Sequence, residues 1–324
     1  MLNLFKIAGN TFKESIREPI FALLLMCSVL LIANFPFVAI FVFYDQVKLV
    51  VDSSMATTML FGLFAAVLCS SHTVSREMRD GTVLLLFSKP VFRATFILGK
   101  ISGIMLSSML FVLVCNAASV VATYIAIDPF RVDWVLYYVL LGLVVLGAGV
   151  GMVMNFARGS SFPAILTLFM TAALPLMAIF VMIFKEIPPE VVLRDLLLAF
   201  CLLFFAVAAM ATLSVVFATR LNMVSNLVVS TALFVAGLMS SYLVHPVSGK
   251  LFAGSGVGTA LRTLLHALLP NWQLFWLADA LATRKTIPLS YVGFAALYVV
   301  LYIGLCSMWA VMVFQDKEIA KDSR

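Results

Sequence analysis

Residues 75–100 read SREMRDGTVLLLFSKPVFRATFILGK, a charged stretch punctuated by Gly81 and Pro90 and set between two long apolar runs. Arg76, Arg79, Lys89 and Arg93 crowd into about 20 residues, the densest positive cluster outside the chain ends, and such clusters collect in cytoplasmic loops. The stretch therefore reads as a cytoplasmic connection between two membrane spans.

The chain is 64% hydrophobic and 11% charged, against roughly 45–50% and about 25% for a soluble domain. Uncharged runs of about 18 residues or more exceed what a buried core helix needs and match a hydrocarbon core. They fall at 20–43, 56–74, 96–127, 134–154, 162–184, 196–218, 227–245 and 290–313. The fold expected over 1–324 is one all-α polytopic membrane helix bundle of about eight transmembrane helices. The third run is longer than a bilayer requires, and Lys100 at its start is expected to snorkel to the headgroups.

Ahead of the first span, residues 1–19 suit an interfacial helix. Phe5, Ala8, Phe12 and Ile16 share one face, with Lys6, Asn10, Lys13 and Arg17 elsewhere, and Pro19 redirects the chain. A charged lead-in to the first span is the alternative. The run after it is too long for a signal-peptide core and has no small-residue cleavage site, so the span is expected to be retained. The longest stretch between spans, 246–289, carries Leu261, Leu264, Leu265 and Leu268 at helical spacing before Pro270, then Trp272, Phe275 and Trp276. It suits an extracytoplasmic interfacial segment with its rings at headgroup level, or a re-entrant pass.

With both termini cytoplasmic, 13 Lys/Arg fall inside and eight outside, while Asp/Glu divide seven to eight. The basic balance is then a topology signal and implies no nucleic acid. Gly99-x-x-x-Gly103 and Gly147-x-x-x-Gly151 are close-packing signals, within the bundle or between subunits.

No chemistry of its own is visible. Gly99-Lys100 continues into Ile101 and Gly249-Lys250 into Leu251, so no nucleotide-binding G-x-x-x-x-G-K-[ST] occurs. The five cysteines are scattered through apolar runs and the three histidines are dispersed, which leaves no metal or catalytic constellation and no cofactor. His72, beside Ser70 and Ser71, reads as a polar cap at a span end. All 15 Asp/Glu fall in loops, tails or interfacial segments by these boundaries. That argues against proton-driven transport, which needs ionisable groups at membrane depth.

The pattern Glu77, Gly81-Thr82, Ser88-x-Pro90, Arg93 and Gly99-Lys100 resembles the coupling region of ABC-2 type transporter permeases, most closely the NosY-like branch associated with multicopper-enzyme maturation. Leu269-Pro270-Asn271-Trp272-Gln273-Leu274-Phe275 with Asp279, and Asn10 to Arg17, share the family's look. The resemblance implies a permease subunit of the cell (inner) membrane, non-enzymatic itself. It implies a separate ATPase subunit, a second permease subunit, like or unlike, and export of a substrate. It assigns coupling to 75–95, with Arg76, Glu77, Arg79, Gly81, Thr82, Pro90 and Arg93 as contacts. The family commonly has six spans, so the pair at 134–184 reads as an additional hairpin. A basic loop resting on headgroups, a membrane scaffold that transports nothing and an ion-coupled secondary transporter are the rival readings.

Overall fold

The computed structural model describes residues 2–42, 46–75, 92–127, 132–185, 193–240, 270–277, 281 and 286–322. The elements in chain order are α1 (Leu2–Arg17), α2 (Pro19–Ala39), α3 (Gln46–Ser70), which runs on as a π-turn (Ser71–Ser75), α4 (Arg93–Ile125), α5 (Trp134–Arg158), α6 (Phe162–Phe184), α7 (Leu193–Ala218), α8 (Met223–Leu238), a 3₁₀ turn (Trp272–Phe275) and α9 (Leu289–Asp322). No strand occurs among the described residues. Seven of the helices are long and apolar enough to cross a membrane, and α8 is a shorter apolar helix.

Local sequence sets the helix ends. Pro19 sits in the first turn of α2, where its missing N–H would find no helical partner anyway. Asp133 caps α5 by accepting from the Leu136 N–H at 3.1 Å, and Asn222 caps α8 by accepting from the Ser225 N–H at 2.9 Å. Gly159 ends α5 at φ 64°, a left-handed conformation that glycine adopts without penalty.

From α2 onward the described helices alternate in direction. At one end of the bundle lie α1, the end of α3, the start of α4 and the end of α9, joined by the Phe96–Phe314 ring contact at 5.9 Å. Both ends of the chain therefore share the α1 end. The opposite end holds the 3₁₀ turn and the start of α9. α3, α4 and α7 form the buried centre, whereas α5 and α9 lie at the periphery with Leu146, Val153, Phe294 and Leu301 exposed. Such faces suit hydrocarbon, because lipid tails are as apolar as the side chains they meet.

α8 starts four residues ahead of its expected span and α9 runs nine residues beyond its own, and two further helix starts change where carboxylates lie. α3 begins at Gln46, ten residues ahead of the expected span, and α7 begins at Leu193, so Asp52 and Asp195 lie inside helices and not in loops. Both stay near a helix end, within the first two turns. Polar groups inside the bundle close their hydrogen bonds mostly on their own helix: Thr58, Ser108, Ser119 and Thr212 each donate to a carbonyl four residues back.

Candidate functional site

The α1 end is built on a close helix crossing. α1 packs along the first turns of α4, where Gly99 and Gly103 leave room for it. A Cβ on Gly99 would stand 2.7 Å from Ile7 Cγ2, and one on Gly103 would stand 2.6 Å from both the Ala8 carbonyl oxygen and Thr11 Cβ. Ile7, Ala8 and Thr11 form the face of α1 that meets these glycines, and Thr11, Ser15 and Ile16 are its buried residues. Phe5 is turned outward at 71% exposure, and Phe12 is half-buried against the core.

Lys100 lies between the two glycines and is 3% exposed. Its Nζ is 3.6 Å from Glu14 Oε2 on α1 and 5.9 Å from the centroid of the Phe96 ring. The expectation that Lys100 reaches the headgroups is corrected by this packing, because α1 covers it. A buried ammonium is costly unless paired, so Glu14 fixes which turn of α1 faces α4.

Beside this crossing, His72 in the π-turn meets Glu18, the residue between α1 and α2, at 2.8 Å. Asn226 of α8, fully buried, donates to Ser71 Oγ at 2.9 Å and to the Ser214 carbonyl at 3.2 Å, and accepts from Ser230 Oγ at 3.1 Å. Arg220, in the α7–α8 turn, donates to the Val313 carbonyl of α9 at 3.0 Å. The π-turn and the start of α4 are therefore both anchored, and they bracket the charged stretch. Of the residues singled out there, Arg76, Glu77, Arg79, Gly81, Thr82 and Pro90 lie outside the described residues, and Arg93 opens α4.

At the opposite end, Trp272 (1% exposed) and Phe275 (0%) face the bundle core, with the Trp272 ring 6.4 Å from Phe234 and 6.5 Å from Phe275. Gly237 admits this turn, since a Cβ there would collide with the Pro270 carbonyl and the Trp272 indole. Trp276, half-buried, donates its indole N–H to Asp52 Oδ1 at 2.8 Å, Ile287 donates its backbone N–H to Asp195 Oδ1 at 3.2 Å, and Tyr291 donates to the Leu274 carbonyl at 2.7 Å. Two carboxylates thus tie the segment before α9 to the starts of α3 and α7. Leu261, Leu264, Leu265 and Leu268 lie outside the described residues.

Gly147 and Gly151 serve the α5–α6 hairpin: Cβ atoms there would stand 2.8 Å from Phe169 Cδ1 and 3.0 Å from Phe162 Cδ2. Asp133 and Lys185 form an ion pair that closes the hairpin at its far end. Sequence reasoning did not connect Glu18 with His72, Glu14 with Lys100, Asp52 with Trp276 or Asp195 with Ile287. The visible signal was the same each time: one polar residue at the margin of an apolar run.

Among the described residues no three His, Cys, Asp or Glu side chains come together as metal ligands. No curated protein matches the chain. A family model described as ABC-2 family transporter protein matches residues 17–174, just under half of the 324 residues. That match takes in α2 to the middle of α6, including the 75–100 stretch and both glycine pairs, and stops well before Trp272. With its membrane-length helices, the chain is a multi-pass membrane protein whose first half matches the ABC-2 family of transporter proteins, which supports a permease.

Proposed function

We propose that this chain is the membrane-spanning permease subunit of an ABC-2 type transporter, driven by a separate ATPase that engages the α1 end. The observation that carries the reading is the locking of α1 onto the start of α4 by Gly99, Gly103 and the Glu14–Lys100 pair, next to the anchored π-turn. A force applied at residues 76–91 meets two fixed ends, one leading into α3 and one into α4, the central helices. Coupling of this kind needs a contact surface that moves helices as rigid units. α1 and α4 are interlocked in the manner that such movement requires.

In this reading the ATPase binds on the cytoplasmic side, with Arg76, Glu77, Arg79 and Arg93 as polar contacts and Gly81, Thr82 and Pro90 shaping the segment. The protein sits in the cell (inner) membrane with both termini cytoplasmic, pairs with a second permease subunit and exports its substrate. Within that family, the coupling stretch favours the NosY-like branch.

The test is reconstitution with the partner ATPase. Glu77→Arg is expected to weaken permease-stimulated ATP hydrolysis about tenfold while insertion is unchanged, since reversing one charge at a polar contact costs about 1.4 kcal/mol or more. Undiminished stimulation in that variant removes the 76–93 segment from the interface. Failure of the wild-type chain to co-purify with any ATPase removes the transporter reading itself.

A further inference from the structure

A groove opens between the start of α2, the end of α3 and the start of α8, at the α1 end. Its walls are Ile20, Leu24, Leu68 and Met223, and its polar end is the Glu18–His72 pair. Ile20 and Met223 are 42% and 40% exposed, so the groove opens sideways to whatever surrounds the bundle. We propose that it holds one acyl chain of a phospholipid whose primary-ammonium headgroup sits on the Glu18 carboxylate.

Position supports this first. Glu18 stands where the chain turns from α1 into the membrane-length helix α2, so a ligand touching it has its head at the end of a span and its tail along the span. Charge supports it second. Glu18 is the N-cap residue of α2 yet its side chain makes no cap hydrogen bond; it turns to His72 instead. His72 Nδ1 lies 2.8 Å from Glu18 Oε1, and a neutral imidazole there leaves the negative charge of the carboxylate in place. The neighbouring carboxylate, Glu14, is matched by Lys100.

The chemistry then selects the headgroup. A primary ammonium brings a positive charge and three N–H donors to a carboxylate. A quaternary choline brings the charge without a donor, and an anionic glycerol headgroup meets like charge. The acyl chain is interchangeable in all three, because the walls are apolar throughout. The inference requires only that the bundle lies in a bilayer; it does not depend on the permease reading.

The test uses the full-length chain in nanodiscs of phosphatidylcholine containing a minority of phosphatidylethanolamine or phosphatidylglycerol, at about pH 8, above the ordinary histidine range. Lipids retained after release into mild detergent are counted by native mass spectrometry. Wild type is expected to retain one phosphatidylethanolamine roughly tenfold over the other two, a preference of about 1.4 kcal/mol. Glu18→Gln should abolish the preference, Glu18→Asp should keep most of it, and Leu68→Trp should displace the lipid whatever its headgroup.

Equal retention of the three lipids by wild type overturns the proposal, as does an unchanged preference in Glu18→Gln or undiminished retention in Leu68→Trp. Should Glu18→Gln fail to fold, the wild-type comparison of ethanolamine with choline headgroups still decides. No ATPase or nucleotide enters the assay, so its outcome is separate from that of the reconstitution.

Discussion

At the scale of single residues, the polar side chains tie distant parts of the chain together. Asn226 joins α8 to the π-turn and to α7 through two hydrogen bonds and is held by a third from Ser230 on its own helix. Asn226→Ala leaves the Ser214 carbonyl and two serine hydroxyls to find other partners, and is expected to cost about 1–3 kcal/mol, read as a lower unfolding midpoint in detergent. A midpoint within error of wild type would mean that the serines recover all their bonds on their own helices. Asp133 gives a pH-dependent case. Burial pushes its carboxyl up, but the Lys185 hydrogen bond and the Leu136 N–H outweigh that and hold it below its ordinary value. A lowered carboxyl stabilises the fold above its ordinary pKa, about 4, and loses that contribution as pH falls through the lowered value. Stability in Asp133→Ala should therefore fall by about 1 kcal/mol at neutral pH, mostly from the lost helix cap. The gap to wild type should close in acid, and a constant gap down to about pH 2 would exclude the ionised carboxylate as its source.

At the scale of elements, the α1–α4 crossing is the contact with least tolerance. The 2.6 Å separations at Gly103 involve the Ala8 backbone carbonyl, which no rotamer change can move aside. Gly103→Ala is expected to cost about 1–3 kcal/mol by overpacking, and Gly103→Leu to lift α1 off α4 altogether. Cysteines in place of Glu14 and Lys100, whose side chains meet at 3.6 Å, should be bridged by a short thiol-reactive crosslinker in the parent and lose most of that yield in the Gly103→Leu background. Full crosslinking there would show that α1 is held elsewhere. The α5–α6 hairpin is more self-contained: two glycines seat two phenylalanines, and an ion pair closes the far end.

At the scale of the whole molecule, the eight described helices after α1 bring the end of α9 back to the α1 end. Reporter fusions after Met1 and at Arg324 are accordingly expected to report the same side, and the cytoplasmic one by the 13-to-eight division of Lys/Arg. Opposite sides for the two fusions would mean that α8, the shortest of the set, fails to cross. The two ends of the bundle are built differently. The α1 end carries Glu18–His72 and Glu14–Lys100 around the anchors of the charged stretch, and the opposite end is pinned by Asp52 and Asp195.

The amino-acid sequence by itself determined the class of molecule, because an uncharged run of membrane length has one stable environment, and it placed the helices to within a few residues in most cases. It also marked both glycine pairs as sites of close approach, since a missing Cβ is legible without a partner. What each glycine receives was decided by tertiary structure: Gly103 takes α1, and Gly151 takes Phe162 of the adjacent helix. The same holds for charge. Lys100 and Asp195 look like residues of a span margin, and in the fold they are buried against partners 86 residues back and 92 residues on. Apolar periodicity says which side chains avoid water, but every face of a membrane helix avoids water. Which face meets protein is fixed only when shape and a few polar partners select one packing among many.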